Sequence, residues 1–302
     1  MKTNRFIYVA AALALTVNFI ACSNNDEPEE WKVENAPIGH TLIATIGGGE
    51  TSTRIGMTGA PDAAVRCTWK EEDGFKLVYG WGPGQTGMIM DYSLTGTPGK
   101  STGTFTTTNR LPTGSGMFLA FCGQDDYIDN NDELSITAST PAFLIQYSMT
   151  DEWMHLESHH CLTAIGNYTN GEIGKIDFKL MMSVLTFKIT FDEVSGEIPA
   201  LVELTGNIAS KIKIQYGVGN GALKETSRSI IDSPGSLQVA IYGATSTKSF
   251  SVHYIIPEQE GGQSIRLAVQ TSEKSQYTAQ FDAPDKFEAG KHYTKNVVVR
   301  RD

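Results

Sequence analysis

Basic residues are scarce in this sequence: 24 Lys and Arg stand against 34 Asp and Glu, a formal net charge of −10. A chain this acidic is repelled by phosphate backbones, and no Lys/Arg-rich run overrides the average, so nucleic acid is excluded as a partner. Cysteine is sparse too, with four in 302 residues. Cys67, Cys122 and Cys161 are far apart, so they imply no disulfide framework, and each is expected to be a small buried hydrophobe. No segment of ten or more residues keeps a 3.6-residue apolar period, which leaves room for few helices. The sequence has neither a Gly-x-Ser-x-Gly elbow nor a His-Glu-x-x-His helix, so it offers no signature of a hydrolase, and no cofactor is implied.

The N-terminus carries an address. Lys2 and Arg5 precede an apolar stretch at residues 6–21, interrupted by Thr16 and Asn18 and followed by Cys22. Sixteen residues fall short of the roughly 20 that cross a bilayer as a helix. A basic start, a short apolar run and a small residue before the cut describe a secretory signal, with cleavage between Ala21 and Cys22. In bacterial lipoproteins a cysteine so placed is acylated and becomes the first mature residue, so Cys22 is the candidate lipidation site. Loss of Lys2 and Arg5 with the signal takes the formal charge from −10 to −12. The acidic run at residues 26–30 reads as a tether between lipid and fold. It also resembles the stretch that sends lipoproteins of Bacteroidetes to the outer face of the outer membrane.

Beyond the tether the pattern is that of a β protein. Leu185, Phe187, Ile189 and Phe191 fall on one face of an extended segment, with Thr186, Lys188 and Thr190 on the other. The same alternation recurs at residues 212–216, 250–256, 265–269 and 293–299, with turn clusters at 217–221, 233–235 and 260–262. Earlier strands are expected at 41–46, 65–69, 75–80, 102–106, 117–122 and 143–149. The Gly/Asn stretch at 167–174 suggests a boundary. The expected organisation is a signal peptide at 1–21, an acidic tether at 22–37, and two antiparallel β-sandwiches at 38–168 and 169–302.

Candidate chemistry is thin. His155, His159, His160 and Cys161 are the one local cluster of metal-ligand types. On an extended strand His155 and His159 lie about 13 Å apart, too far to share an ion with ~2 Å bonds, so surface or interface histidines are expected. The Gly-rich segment at 80–87 lacks the Lys-Ser/Thr ending of a phosphate loop and reads as a hairpin. Its Trp81, with Tyr79 and Trp69, is a candidate aromatic platform for a sugar ring. Asp125, Asp126, Asp129, Asp132 and Glu133 form an acidic loop whose spacing fits no EF-hand.

Five segments together carry a resemblance: the start ending at Cys22, then 51–58, 68–75, 178–189 and 287–294. In this order they are similar to the fimbrillin family of Bacteroidetes, subunits of type V pili, and to its Mfa-like branch. The resemblance implies an all-β fold of two tandem transthyretin-like sandwiches and a partner role with other fimbrial subunits. It also implies an N-terminal strand released by a trypsin-like protease cutting after an Arg, opening a groove for a neighbour's strand. The strand Thr41, Leu42, Ile43, Ala44, Thr45 and Ile46 fits that part, with Arg54 as the candidate cut beyond the flexible residues 47–50. The vacated pockets would be those of Leu42, Ala44 and Ile46, or of Ile43 alone on the other face. Stalk subunits are expected to carry a donor extension, whereas this chain stops just after an apparent last strand at 297–299, so a tip or accessory subunit is expected. A host or bacterial surface receptor or glycan is a further expected partner, and the competing expectation is a surface glycan-binding lipoprotein.

Cys22→Ser removes the acylated thiol. Mass spectrometry of the N-terminus should show lipid on Cys22 in the wild type and none in the variant, which should leave the detergent phase.

Overall fold

The computed structural model describes residues 40–47, 56–58, 64–81, 86–123, 127–129, 134–149, 153–193 and 197–302. Ala21, Cys22, the acidic tether and Arg54 lie outside them. In chain order the first strands are β1 (His40–Ile46), β2 (Gly56–Thr58), β3 (Arg66–Thr68), β4 (Gly74–Tyr79), β5 (Met88–Leu94), β6 (Thr102–Thr107), β7 (Ser115–Cys122) and β8 (Tyr127–Asp129). Then come β9 (Leu134–Ser139), β10 (Phe143–Gln146), β11 (Leu162–Thr169), β12 (Lys175–Leu180), β13 (Met182–Phe191), β14 (Pro199–Thr205) and β15 (Lys211–Gly219). The last are β16 (Ala222–Asp232), β17 (Ser236–Ile241), β18 (Ser249–Pro257), β19 (Gln259–Glu260), β20 (Ser264–Thr271), β21 (Gln276–Asp282), β22 (Lys286–Phe287) and β23 (His292–Arg301). The chain is all-β. Among the described residues the helical content is a single 3-10 turn at Glu157–His159.

Seven strands close a barrel in the order β1-β12-β11-β7-β4-β5-β6, with β6 returning to β1. A second sheet runs β10-β17-β14-β20-β21-β23-β13-β18. It folds over on itself, because β21 and β23 share only the pairs Tyr277↔Arg301 and Thr278↔Arg300. Across the fold Phe191 meets Tyr277 with ring centroids 4.7 Å apart, and the Tyr254 hydroxyl donates to the Val202 carbonyl at 3.0 Å. A third sheet runs β16-β15-β9-β8, and β19 pairs with β22 and β2 with β3 in two-stranded sheets. The alternation read from residues 184–191 is obeyed: Leu185, Phe187, Ile189 and Phe191 are buried and Lys188 is exposed. Thr186 is the exception on the outer face, buried at 2% exposure under a segment that crosses over it.

The Gly/Asn stretch at 167–174 lies inside the barrel. β11 ends at Thr169, Asn170 and Gly171 take positive φ, and Thr169 bridges Glu172 across the turn. Two consecutive positive φ values are what a tight hairpin turn of this hand requires, and Asn-Gly supplies them at least steric cost. The last barrel strand in the chain is β12, and after Met181 the chain enters the second sheet with β13. Gly217 and Gly219, expected in a turn, extend β15, and the turn is Asn220-Gly221 alone.

β10 is joined to the opposite leaf by one side chain. Buried Gln146 donates from Nε2 to the Ser251 carbonyl at 2.9 Å and accepts from the His253 amide at 3.1 Å. Gln146→Leu leaves both β18 groups unsatisfied, at about 1–3 kcal/mol each. Urea denaturation of the variant should show a loss of that order with the denaturant slope unchanged.

Candidate functional site

β1 is the strand singled out above, and the structure seats it between two others. It runs antiparallel to β6, from His40↔Thr107 to Thr45↔Thr102, and parallel to β12, from Ile43↔Lys175 to Ile46↔Phe178. Period-2 geometry turns Leu42, Ala44 and Ile46 inward at 0–2% exposure and leaves Ile43 outward at 48%. Of the two sets of pockets left open by the sequence, the three-residue set is therefore the internal one. The floor beneath is aromatic. Trp69 packs edge-on to Phe105 and Phe178 at 4.7 and 5.6 Å, and Phe75 lies against both. The Trp69 indole N–H donates to the Ala44 carbonyl at 3.3 Å.

Ala44 pairs with Gly103, and this pairing explains two small residues at once. A Cβ at Gly103 would stand 2.7 Å from Leu94, 2.8 Å from Phe105 and 3.0 Å from Trp69. The indole fills the space that two side chains would otherwise occupy. The ends of β1 are tied as well: the Ile46 amide donates to Ser101 at 2.8 Å, Gly47 donates to Phe178 at 3.2 Å, and His40 Nδ1 lies 3.0 Å from the Tyr92 hydroxyl. Burial of the His40 ring lowers its pKa. Removal of β1 would open the barrel, baring one backbone edge on β6, one on β12 and a row of apolar pockets.

The other candidates fare differently. Trp69 is fully buried and Tyr79 nearly so, while Trp81 is half-buried against the core, so these three rings do not form a sugar platform. Residues 82–85 and all the acidic loop but Asp129 lie outside the described residues. Among the described residues no group of three or more His, Cys, Asp or Glu could hold a metal. The cysteines Cys67, Cys122 and Cys161 are free and buried, and loss of hydration pushes the thiols of Cys67 and Cys161 up to about 12.

The histidine cluster is not on the surface as expected. Residues 153–161 form a strap rather than a strand, and Leu156, His160 and Cys161 are buried in it. His160 Nε2 lies 3.5 Å from Cys122 Sγ, and its Nδ1 lies 2.6 Å from the Glu157 carbonyl. Glu157 pairs at 2.6 Å with Lys70, itself 4% exposed, which ties the strap to the barrel. At its other end Trp153 lies edge-on to His292 at 4.7 Å, and His155 Nε2 donates to the His253 carbonyl at 3.0 Å. Thr186 Oγ1 links His253 Nδ1 and His292 Nε2, each at 2.8 Å, beneath this lid. Sequence spacing could not reveal this, because the partners come from β13, β18 and β23.

No protein-family model and no curated protein matches the sequence. Solved structures do. A proposed cell adhesion protein from Bacteroides ovatus aligns at 15% identity and TM-score 0.50 over 87% of this chain and 95% of its own. One from Bacteroides uniformis aligns at 12% and 0.50 over 87% and 96%. This chain has the fold of these Bacteroides proteins. The tip fimbrial protein Mfa3 from Porphyromonas gingivalis also aligns, at 10% identity and TM-score 0.38 over 85% and 94%. The all-β fold expected from the residues is thus the fold of these two Bacteroides proteins.

Burial, above all, lowers the His160 pKa to about 4, and it lowers those of His155 and His159. The folded state thus holds these rings neutral, and the unfolded chain takes up protons near pH 6.5. The contribution of His160 is present above pH 6.5 and is lost as pH falls towards 4, on the order of 3 kcal/mol. Urea midpoints from pH 7 to pH 4 should fall more steeply for wild type than for His160→Gln.

Proposed function

We propose that this chain is a structural subunit of a surface fimbrium or adhesin, without catalytic function. It is delivered as a lipoprotein acylated at Cys22 and is assembled by strand exchange after proteolysis at Arg54. Its barrel and folded sheet are read as two tandem transthyretin-like units. The precursor sits at the outer membrane, facing the cell exterior, and its partners are other fimbrial subunits. A bacterial or host surface receptor completes the adhesin role.

The observation that carries this reading is the seat of β1. A strand that follows the tether directly, runs between two neighbours and fills a groove with Leu42, Ala44 and Ile46 can be replaced by another extended segment of like pattern. Backbone hydrogen bonds supply affinity without regard to sequence, and the alternating pockets supply selection. The energetics suit a two-stage device. Burial of Leu42 and Ile46 stabilises the intact barrel by about 1.5–3 kcal/mol each, so β1 stays in place until it is cut. After a cut it is held by a single segment, and a better-matched strand can displace it. By contrast β23 pairs with β13 from Val184↔His292 to Phe191↔Val299, which commits it to its own sheet. The Bacteroides adhesion proteins of the same fold support the surface role.

Limited trypsin treatment of the folded protein should cut once after Arg54, and higher oligomers should follow as β1 is lost. The Arg54→Ala protein should stay intact and monomeric under the same digestion. Resistance of wild-type Arg54 in the folded state would overturn the assembly reading.

A further inference from the structure

Among the described residues the sheet edges at β18, β16 and β10 are treated differently. The outer edge of β18 is sealed: Ser251 donates to Met149, Gln146 bonds Ser251 and His253, and His155 bonds the His253 carbonyl. The edge of β16 carries Lys224, Glu225 and Arg228, charges that discourage pairing with another strand. The edge of β10 has neither device. Its hydrogen bonds to β17 use residues 142 and 146, with Gln238 donating to Ala142 and Tyr242 donating to Gln146. In a parallel pair of this register the N–H and C=O groups of Phe143 and Ile145 therefore face away from β17. Among the described residues β17 is the one strand beside β10.

The side chains at this edge are apolar and exposed. Leu144 and Gln146 point into the core, while Phe143, Ile145 and Tyr147 are 50%, 37% and 74% exposed. Tyr242, next to Tyr147 with ring centroids 6.0 Å apart, widens the patch. Charge is absent from both segments that build it. No Asp, Glu, Lys, Arg or His falls between Leu134 and Thr150 or between Ser233 and Thr247. The parallel pairing of β10 with β17 brings these two uncharged stretches side by side.

We infer that the β10 edge is a self-association surface, at which a second copy of this chain adds its own β10 antiparallel about a two-fold axis. Centred on Ile145, that register sets Ile145 against its copy and Phe143 against Tyr147, apolar on apolar throughout. Across the axis Ile145 exchanges backbone hydrogen bonds with its copy, and Phe143 exchanges them with Tyr147 of the second chain. Charge favours a second copy as the occupant. Two chains of net charge −10 repel each other over most of their surfaces, and they meet without opposed like charges where neither carries any. This contact is independent of β1 and leaves the barrel closed.

Sedimentation velocity of the purified full chain should show a monomer–dimer equilibrium that strengthens from about 0.05 M to 0.5 M salt, as repulsion between like net charges is screened. Amide exchange at Phe143 and Ile145 should slow as protein concentration rises. Ile145→Lys should abolish the dimer, as should Ile145→Pro, whose lost N–H serves no bond among the described residues. Ile230→Lys, at the exposed end of β16, should leave the dimer intact. A wild-type chain that stays monomeric to about 1 mM would overturn the inference, as would a dimer indifferent to Ile145→Lys. Unchanged exchange at the two amides would do so even if the variants misfold, and so would polysaccharide bound at Tyr147 and Tyr242 of a monomer.

Discussion

Closure of the barrel rests on β1. It is the strand that joins β6 to β12, pairing antiparallel with the first and parallel with the second. Its hold is shared between two backbone ladders and an aromatic floor that it covers but does not build. Trp69, Phe75, Phe105 and Phe178 already contact one another, and β1 adds Leu42, a small Ala44 and Ile46 on top. β1 thus covers a floor built by other strands, whereas a central strand such as β13 builds its own core. β13 pairs over nearly its whole length on both sides, and Phe187 and Phe191 each meet aromatic partners on other strands.

The strap at 153–161 solves a different problem. It runs between β10 of the folded sheet and β11 of the barrel and makes specific contacts with each: Trp153 and His155 with His292 and His253, Glu157 with Lys70, His160 with Cys122. His160 of the strap is buried and matched, and beneath the strap the cross-strand hydroxyl of Thr186 matches the imidazoles of His253 and His292 at once. A buried polar network of this kind stabilises one arrangement because any other would leave donors or acceptors without partners. The ion pairs around Arg228 play a similar part elsewhere: Arg228 meets Glu225 and Glu258, and Lys286 meets Glu258 at 2.8 Å.

How much of this was legible depends on which interactions are local. Alternation at 184–191 exposed its inward face because burial on a sheet repeats every two residues. The strand at 41–46 was legible for the same reason. Its partners were not: a parallel neighbour 130 residues away leaves no local trace. Trp69 read as a possible surface aromatic because an isolated Trp after a short strand fits a floor and a platform equally well. Gly103 carried a signal in retrospect, a lone glycine inside an alternating strand where another ring approaches closely. The histidines at 155–160 misled in the other direction, since a polar-looking cluster becomes interior once a strap folds over a sheet.

Strand content, the scarcity of helices and the acidic character follow from the residues alone, because each depends on composition or on contacts within a few residues. Turn chemistry belongs with them, since Asn170-Gly171 and Asn220-Gly221 dictate their own backbone. Strand order, barrel closure around β1, the burial of Thr186 and the histidines, and the bare edge of β10 were decided by tertiary structure. Each arises where segments far apart in the chain compete for the same apolar surface or the same hydrogen bonds. That competition is settled only when the whole chain has folded.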